Sequence, residues 1–315
     1  MENSSVPTNR SQVSLLKASG AGNVRFFMVL AVALVSSICL CTILLILSTV
    51  FLRPHLRENA RYILFAHMLI NDMVNIIMTV LLYLFSLHRL RVPRLACHFL
   101  VVISAFTFLN SINNLAAMSL ERYVAICFPL RHMEICRVER CWVAFSIIWA
   151  LGLLPFLTDL IFLGSKEQLV APSSSLVCSR EALYVNPAQS TIRSVFHVLT
   201  FVSVASIIVY TYTMIMLEAR KVRADKASTS KASKTVVLHI FQLLLCLTSF
   251  ISPVTEVYFR EQVAYLPFIN FFLFILFPRF LSPFIYGLRD DAIRNYMKLF
   301  VICRSFGTCL VPPRV

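Results

Sequence analysis

The feature that most restricts this chain is the spacing of its apolar residues. They fall into seven blocks, at 25–51, 61–87, 96–127, 141–163, 190–217, 235–258 and 264–287, separated by short charged or proline-containing stretches. At ~1.5 Å of rise per residue each block is long enough to cross a hydrocarbon core of ~30 Å. In lipid every backbone amide must be satisfied within the protein, which leaves helices for isolated segments of this length. The expected fold is an all-α membrane protein, a bundle of seven transmembrane helices. Composition agrees, with 58% hydrophobic and 14% charged residues against ~45–50% and ~25% in soluble domains.

Basic residues resist translocation, so their count near span ends sets the orientation. With the amino terminus outside, the inner segments hold 17 Lys and Arg against 10 outside. The inner ones cluster at Arg53, Arg57 and Arg61, at Arg131, Arg137 and Arg140, from Arg220 to Lys234, and from Arg289 to Arg314. The net charge of +14 is then a topology signal that suits an anionic inner leaflet and an acidic cytoplasmic partner. A nucleic-acid reading has no folded soluble domain to carry it.

The chain divides into an extracellular tail at 1–24, the seven-span bundle at 25–287 and a cytoplasmic segment at 288–315. The polar tail lacks the pattern of a cleaved signal peptide, so the first span is expected to target the chain to the plasma membrane as a multi-pass protein. Asn3-Ser4-Ser5 and Asn9-Arg10-Ser11 are sequons for N-glycosylation in that tail. Of ten cysteines, Cys97 and Cys178 fall on the outer side, where an oxidising environment predicts a bridge between them. The others read as packed or reduced thiols.

The third block ends in Met118 to His132, MSLERYVAICFPLRH. Arg122 cannot lose its proton, and at a helix end near the membrane it needs an anion or water. Glu121 offers a resting partner; helix movement would free the guanidinium for another protein's carbonyls. The simpler reading is an arginine that snorkels to the interface.

This stretch resembles the cytoplasmic end of the third helix in rhodopsin-like (class A) G-protein-coupled receptors, and odorant receptors above all. RYILFAHMLIND from Arg61, LTSF from Leu247 and SPFIYGLRDD from Ser282 look most like fish odorant receptors of the 131-2 type. Cys97 precedes Arg122 by 25 residues, ~37 Å of helix, which puts one at each membrane face as the family's disulfide and arginine require. Trp149 in the fourth block also fits.

The resemblance implies a receptor that activates a heterotrimeric G protein through Glu121, Arg122 and Tyr123. Tyr212 and Tyr286, the latter beyond Pro283, would swing inward on activation; as plain chemistry, both suit an interfacial aromatic belt. Past them, Ile293, Met297 and Phe300 alternate with Arg294 and Lys298 as in a short amphipathic surface helix. Cys303 or Cys309 beside it is a palmitoylation candidate.

An ionisable residue inside a span is costly and usually functional. In the family, the aspartate matching Asp72, with a serine matching Ser111, holds a sodium ion. This sequence departs from that pattern. The first span from Val24 to Glu58 has no Asn, Ser282 stands where Asn or Asp is usual, and Arg279 lies one turn before Pro283. Arg279 is expected to pair with Asp72 as a tethered cation; the alternative is that it faces a water-filled inner vestibule.

A ligand pocket belongs in the outer half of the bundle, between facing helices. Ser104, Ala105 and Phe108 lie at that depth on the third helix, with His197, Thr200, Glu256, Phe268 and Phe271 as further candidates. Ser104 stands where amine receptors carry an aspartate, so a neutral or largely apolar odorant is expected. His67 and His239 lack metal partners at ligand spacing and read as packing or interhelical hydrogen-bond residues. No metal and no cofactor is expected. HExxH, GxSxG and phosphate-loop patterns are missing and glycine numbers only 6, which argues against an enzyme. The competing readings are a class A receptor for a peptide or lipid and, from another class, a secondary transporter, which should show related halves and broken helices.

Overall fold

The computed structural model describes residues 8–163, 175–178, 187–221 and 265–287, with isolated positions between 241 and 259 and at 293. Five helices among them are long and apolar enough to span a membrane: Gly22–Leu52, Ala60–Leu87, Arg94–Cys127, Val138–Leu157 and Thr191–Glu218. A shorter apolar helix covers Leu266–Leu281. These coincide with six of the seven expected blocks. The block at 235–258 lies mostly outside the described residues, as do the amphipathic segment beyond Gly287, save Ile293, and His239.

Helix α1 (Thr8–Leu52) starts ahead of its apolar block and carries Asn9. Helix α2 (Pro54–Arg57) opens with a proline, where the missing amide hydrogen is one the helix leaves unbonded anyway. Asn59 caps α3 (Ala60–Leu87), its side chain accepting from the Arg61 amide at 3.1 Å. Helix α4 (Arg94–Cys127) is followed by α5 (Pro129–Ile135), again opened by proline. Helix α6 (Cys141–Leu163) holds Pro155, and α7 runs over Pro187–Lys221. Helix α8 (Leu266–Asn270) widens into a π turn over Phe271–Leu276 before α9 (Phe277–Gly287). The ring of Pro278 lacks the amide that would bond the Phe274 carbonyl and crowds that carbonyl, a physical reason for the ladder to widen there.

Helix α4 is the central rod, packed against α3, α6 and α7, while α1 lies on α3 and α9. The α7 sequence shows how lipid changes the usual pattern. Phe201, Val204, Ile208, Thr211 and Ile215 are buried, and Val195, Val198, Leu199, Val202 and Val209 are exposed. Both stripes are apolar because the outer one faces hydrocarbon rather than water. Hydroxyls on such helices fold back onto their own backbone, as Ser36 does to Val32, Thr42 to Ile38 and Thr213 to Val209, so these hydrogens are not left unpaired in lipid.

At the end of the bundle where α3 leads into α4, β1 (Arg91–Pro93) pairs antiparallel with β2 (Ser175–Val177), Val92 opposite Leu176. The Cys97–Cys178 disulfide, with Cα atoms 5.5 Å apart, locks this ribbon to the start of α4. Val101, Leu82 and Phe85 pack around it.

Candidate ligand and coupling site

The α3–α4 seam carries a column of polar side chains through the apolar bundle. At its outer end Asn75 donates to the Ser104 carbonyl at 2.6 Å and to the Thr107 hydroxyl at 3.0 Å. One turn inward, Ser111 donates to Asp72 Oδ1 at 2.8 Å. Further inward Asn110 approaches Asn71 Oδ1 at 3.5 Å, and His67 meets Asn114 at 2.6 Å and the Trp149 indole at 3.0 Å. The indole proton goes to His67 Nε2, so in a neutral ring Nδ1 carries the hydrogen. Asn114 therefore meets it with its carbonyl oxygen. In that orientation the Asn114 oxygen has a partner and its amide nitrogen takes the buried place that has none among the described residues. Phe145 stacks on the His67 ring at 4.2 Å, so the histidine joins α3, α4 and α6. Gly152 is required in this seam, because a Cβ there would run into the Asn110 side chain.

Arg279 enters the same level from α9. It is 7% exposed, and Asp72 3%. Its guanidinium sits 5.1 Å over the Phe108 ring, one turn outward of Ser111, and donates to the Ile275 carbonyl at 2.8 Å. From α1, the Cys39 thiol contacts the Arg279 carbonyl at 3.7 Å and lies within electrostatic reach of both Asp72 and Arg279. A hard cation such as sodium requires a cage of oxygens. Here the Ser111 hydroxyl is turned to the carboxylate, the Asn75 amide nitrogen is spent on α4, and a fixed positive charge is buried alongside. These residues do not fit a sodium ion. The Ser282 side chain lies outside the described residues.

In the outer half, Ser104 and Ala105 are buried, with the Ser104 carbonyl turned to Asn75. Phe108 lies 6.5 Å from Phe201 of α7. Phe271 stacks on Tyr83 at 4.4 Å, with Phe268 at 6.4 Å from the same ring. On α7, His197 donates to the Arg193 carbonyl at 2.6 Å and Thr200 to the Phe196 carbonyl at 2.9 Å. Glu256 lies outside the described residues. Tyr83 and Arg193 escaped the sequence reading. The Tyr83 hydroxyl is buried without a hydrogen bond among the described residues, and Arg193 is buried with its guanidinium 5.2 Å over Phe156. A lone tyrosine and a basic residue near a span end look like ordinary interfacial anchors in sequence.

At the inner face Glu121 is 7% exposed. Its Oε2 lies 3.5 Å from Arg122 Nε and its Oε1 3.2 Å from His132 Nε2. Tyr123 packs edge-on against Phe128 at 5.6 Å and Tyr210 at 6.0 Å. Tyr210 is thus the tyrosine of α7 in contact with the triplet, while Tyr212 packs half-buried against the core. Pro283 is buried within α9, and Tyr286 belongs to that helix, its side chain lying outside the described residues. Burial, and secondarily the negative charge of Glu121, pushes the Cys136 thiol pKa up.

A rod-like central helix, bridged to an outer ribbon at one end and carrying a Glu-Arg-Tyr cluster at the other, is the arrangement of a rhodopsin-like receptor. The family profile described as "7 transmembrane receptor (rhodopsin family)" matches residues 26–286, and the chain belongs to this family. It is a multi-pass membrane receptor, not an enzyme. Odorant receptor 131-2 of Danio rerio is 33% identical over 80% of this chain and 79% of its own length. Human olfactory receptor 51G2 is 26% identical over 62% of this chain and 64% of its own, and trace amine-associated receptor 13c of Danio rerio is 26% identical over 62% of each.

Proposed function

We propose that the chain is an odorant receptor that binds a small, neutral or largely apolar molecule in the outer half of the bundle and activates a heterotrimeric G protein. The observation that carries this reading is the continuity of α4 from the Cys97 bridge to the Glu121–Arg122 pair, in a chain similar to odorant receptor 131-2 over most of its length. Activation is a population shift: an odorant that binds the open arrangement better by ~1–3 kcal/mol raises its population 5- to 150-fold. Expression in cells with an olfactory G protein, challenged with odorant and peptide panels, tests this. Nucleotide exchange in response to small apolar odorants is expected. A response to peptides alone overturns the ligand class.

For the ligand, Phe108, Phe268 and Phe271 form apolar walls and Ser104, Ala105, His197, Thr200 and Glu256 border them. The Tyr83 hydroxyl is the polar handle, since a buried donor without a partner among the described residues is where a ligand acceptor gains most. The tail at 1–24 is outside, with Asn3 and Asn9 as glycan acceptors. The segment at 288–315 is inside, its amphipathic part on the membrane surface. Tyr212 and Tyr286 move toward Arg122 as the G protein is engaged.

Within the bundle, Arg279 serves Asp72 as its cation. Ser111 and Phe108, neighbours on one face of α4, hold the carboxylate and the guanidinium, and a buried carboxylate requires compensation. Odorant potency is then insensitive to sodium. A sodium dependence like that of receptors lacking such an arginine overturns the pairing.

A further inference from the structure

Arg193 differs from the other arginines at the disulfide end of the bundle. Arg89 and Arg91 are exposed there, as long basic side chains that keep their charge in water are. Arg193 is instead 6% exposed, although its α7 neighbours Ser194 and Val195 face outward. Its guanidinium lies 5.2 Å over the Phe156 ring of α6. His98, the residue after the bridged Cys97 on α4, is half-buried and within electrostatic reach of it. Three helices therefore meet around one cation that cannot give up its proton. On the same face of α7, buried Gln189 lies one turn toward the chain's β ribbon, and His197 and Phe201 follow one and two turns deeper. Phe201 approaches Phe108 of α4 at 6.5 Å, so one helix face joins the cation to the apolar walls, across ~12 Å of rise. Charge at this end is of one sign. The described residues at 86–104, 150–157, 175–178, 187–200 and 265–271 include Arg89, Arg91, Arg94 and Arg193 and no Asp or Glu. A cleft of one sign with low-dielectric walls concentrates the opposite ion and speeds its arrival.

We propose that Arg193, with His98, forms a subsite for a carboxylate, and that the ligand is a largely apolar chain with one acidic end. The proposal rests on the reading of the outer half as the ligand pocket, and it narrows that reading from neutral or largely apolar molecules to aliphatic acids. A guanidinium presents five N–H donors in a planar fork that matches the two oxygens of a carboxylate. The Phe156 ring attracts the cation without accepting one of those hydrogens in its plane. His98 supplies a ring N–H in either protonation state. Bonds from such donors to an ionised acceptor are charge-assisted, the stronger kind. An amine placed there meets a like charge, which disfavours it, and an alcohol gains an ordinary hydrogen bond. Ser104 removes the acid that would anchor an amine; Arg193 reverses the preference.

The test compares octanoic acid, 1-octanol and octylamine at neutral pH, three molecules with one chain and different end groups. Binding is read as the rise in melting temperature of purified full-length receptor in nanodiscs, and signalling as nucleotide exchange on an olfactory G protein. Octanoate is expected to bind best and octylamine worst. Arg193→Gln is expected to weaken octanoate about 10- to 150-fold, the range for hydrogen bonds to a charged group, and to leave octanol nearly unchanged. Arg193→Lys keeps the charge and loses the fork, so its loss should be smaller. His98→Phe should weaken octanoate roughly two- to tenfold, the range of one ordinary hydrogen bond. Should Arg193→Gln fail to fold, the wild-type order of the three ligands and the Arg193→Lys shift decide. A melting temperature that octanoate leaves unmoved, octanol binding as well as octanoate, or equal losses for both in the Arg193 variants overturns the subsite. Preferential octanoate binding without nucleotide exchange supports the subsite and refutes the coupling reading. Exchange driven by octanol alone refutes the subsite and leaves the receptor reading standing.

Discussion

Polar side chains meet α4 in two settings that behave oppositely. In the seam with α3 they are sealed: Asp72, Ser111, Asn75, Asn110 and Asn114 are all buried, and their contacts tie α3 to α4. At the inner end the side chains of Arg122 and His132 reach the rim and only Glu121 is enclosed. A sealed charge has no water to fall back on, so breaking its contacts costs stability. A rim charge exchanges protein for water or for another protein at little cost, which suits it to a switch. The seam is the part of the bundle that holds still; the rim is the part that can change.

The widest separation of the two settings comes from charge removal. Asp72→Ala should lower the stability of purified receptor by about 3–5 kcal/mol, because Arg279 is left buried with its charge uncompensated. Thermal unfolding in detergent measures it, and Asp72→Ala combined with Arg279→Met should regain much of the loss. Equal losses in the single and double variants would mean that the two charges are not partners. Arg122→Ala should do the reverse, abolishing nucleotide exchange while leaving surface expression unchanged and stability within about 0.5 kcal/mol. Unimpaired exchange would deny the rim its role.

Smaller effects sharpen the picture of the seam. Gly152→Ala forces a methyl against Asn110 and should cost about 1–3 kcal/mol by overpacking, again read by thermal unfolding. Tyr83→Phe removes a buried hydroxyl that has no partner among the described residues. It should leave the empty receptor as stable or more so, and weaken odorants that carry a hydrogen-bond acceptor by about 1 kcal/mol in dose–response curves. Trp149→Phe removes one interhelical hydrogen bond to His67 and should cost about 0.6 kcal/mol, the usual size in a membrane bundle.

Much of this was legible before any coordinates. Block length predicted the helices, and the cysteines on the outer side predicted the bridge that joins α4 to β2, because hydrocarbon thickness and redox compartment act on single segments. The polar positions were harder. Asp72 drew attention as a charge in a span, but Asn75, Asn110 and Asn114 are neutral amides whose importance appears only where two helices face each other. Tyr210, which packs against Tyr123, drew no attention, since neighbouring tyrosines on a helix look alike in sequence and depth along the span carries no facing. The contact of His132 with Glu121 is invisible in the sequence, because nothing in the local pattern says that α5 folds back onto the end of α4.

By itself, then, the sequence determined the class of fold, the apolar helices long enough to cross lipid among the described residues, the bridged cysteines and the residue types at the end of α4, all consequences of length, charge and compartment. Tertiary structure alone decided the partners: Arg279 over Phe108, Asp72 with Ser111, Gly152 against Asn110, Trp149 on His67, and two nitrogens sharing Glu121. The physical reason is that partnership between helices depends on rotation about each axis and on the depth at which they cross. Both are set by packing of side chains far apart in the chain, and in lipid, where outer and inner faces are equally apolar, hydrophobicity does not mark which way a helix turns.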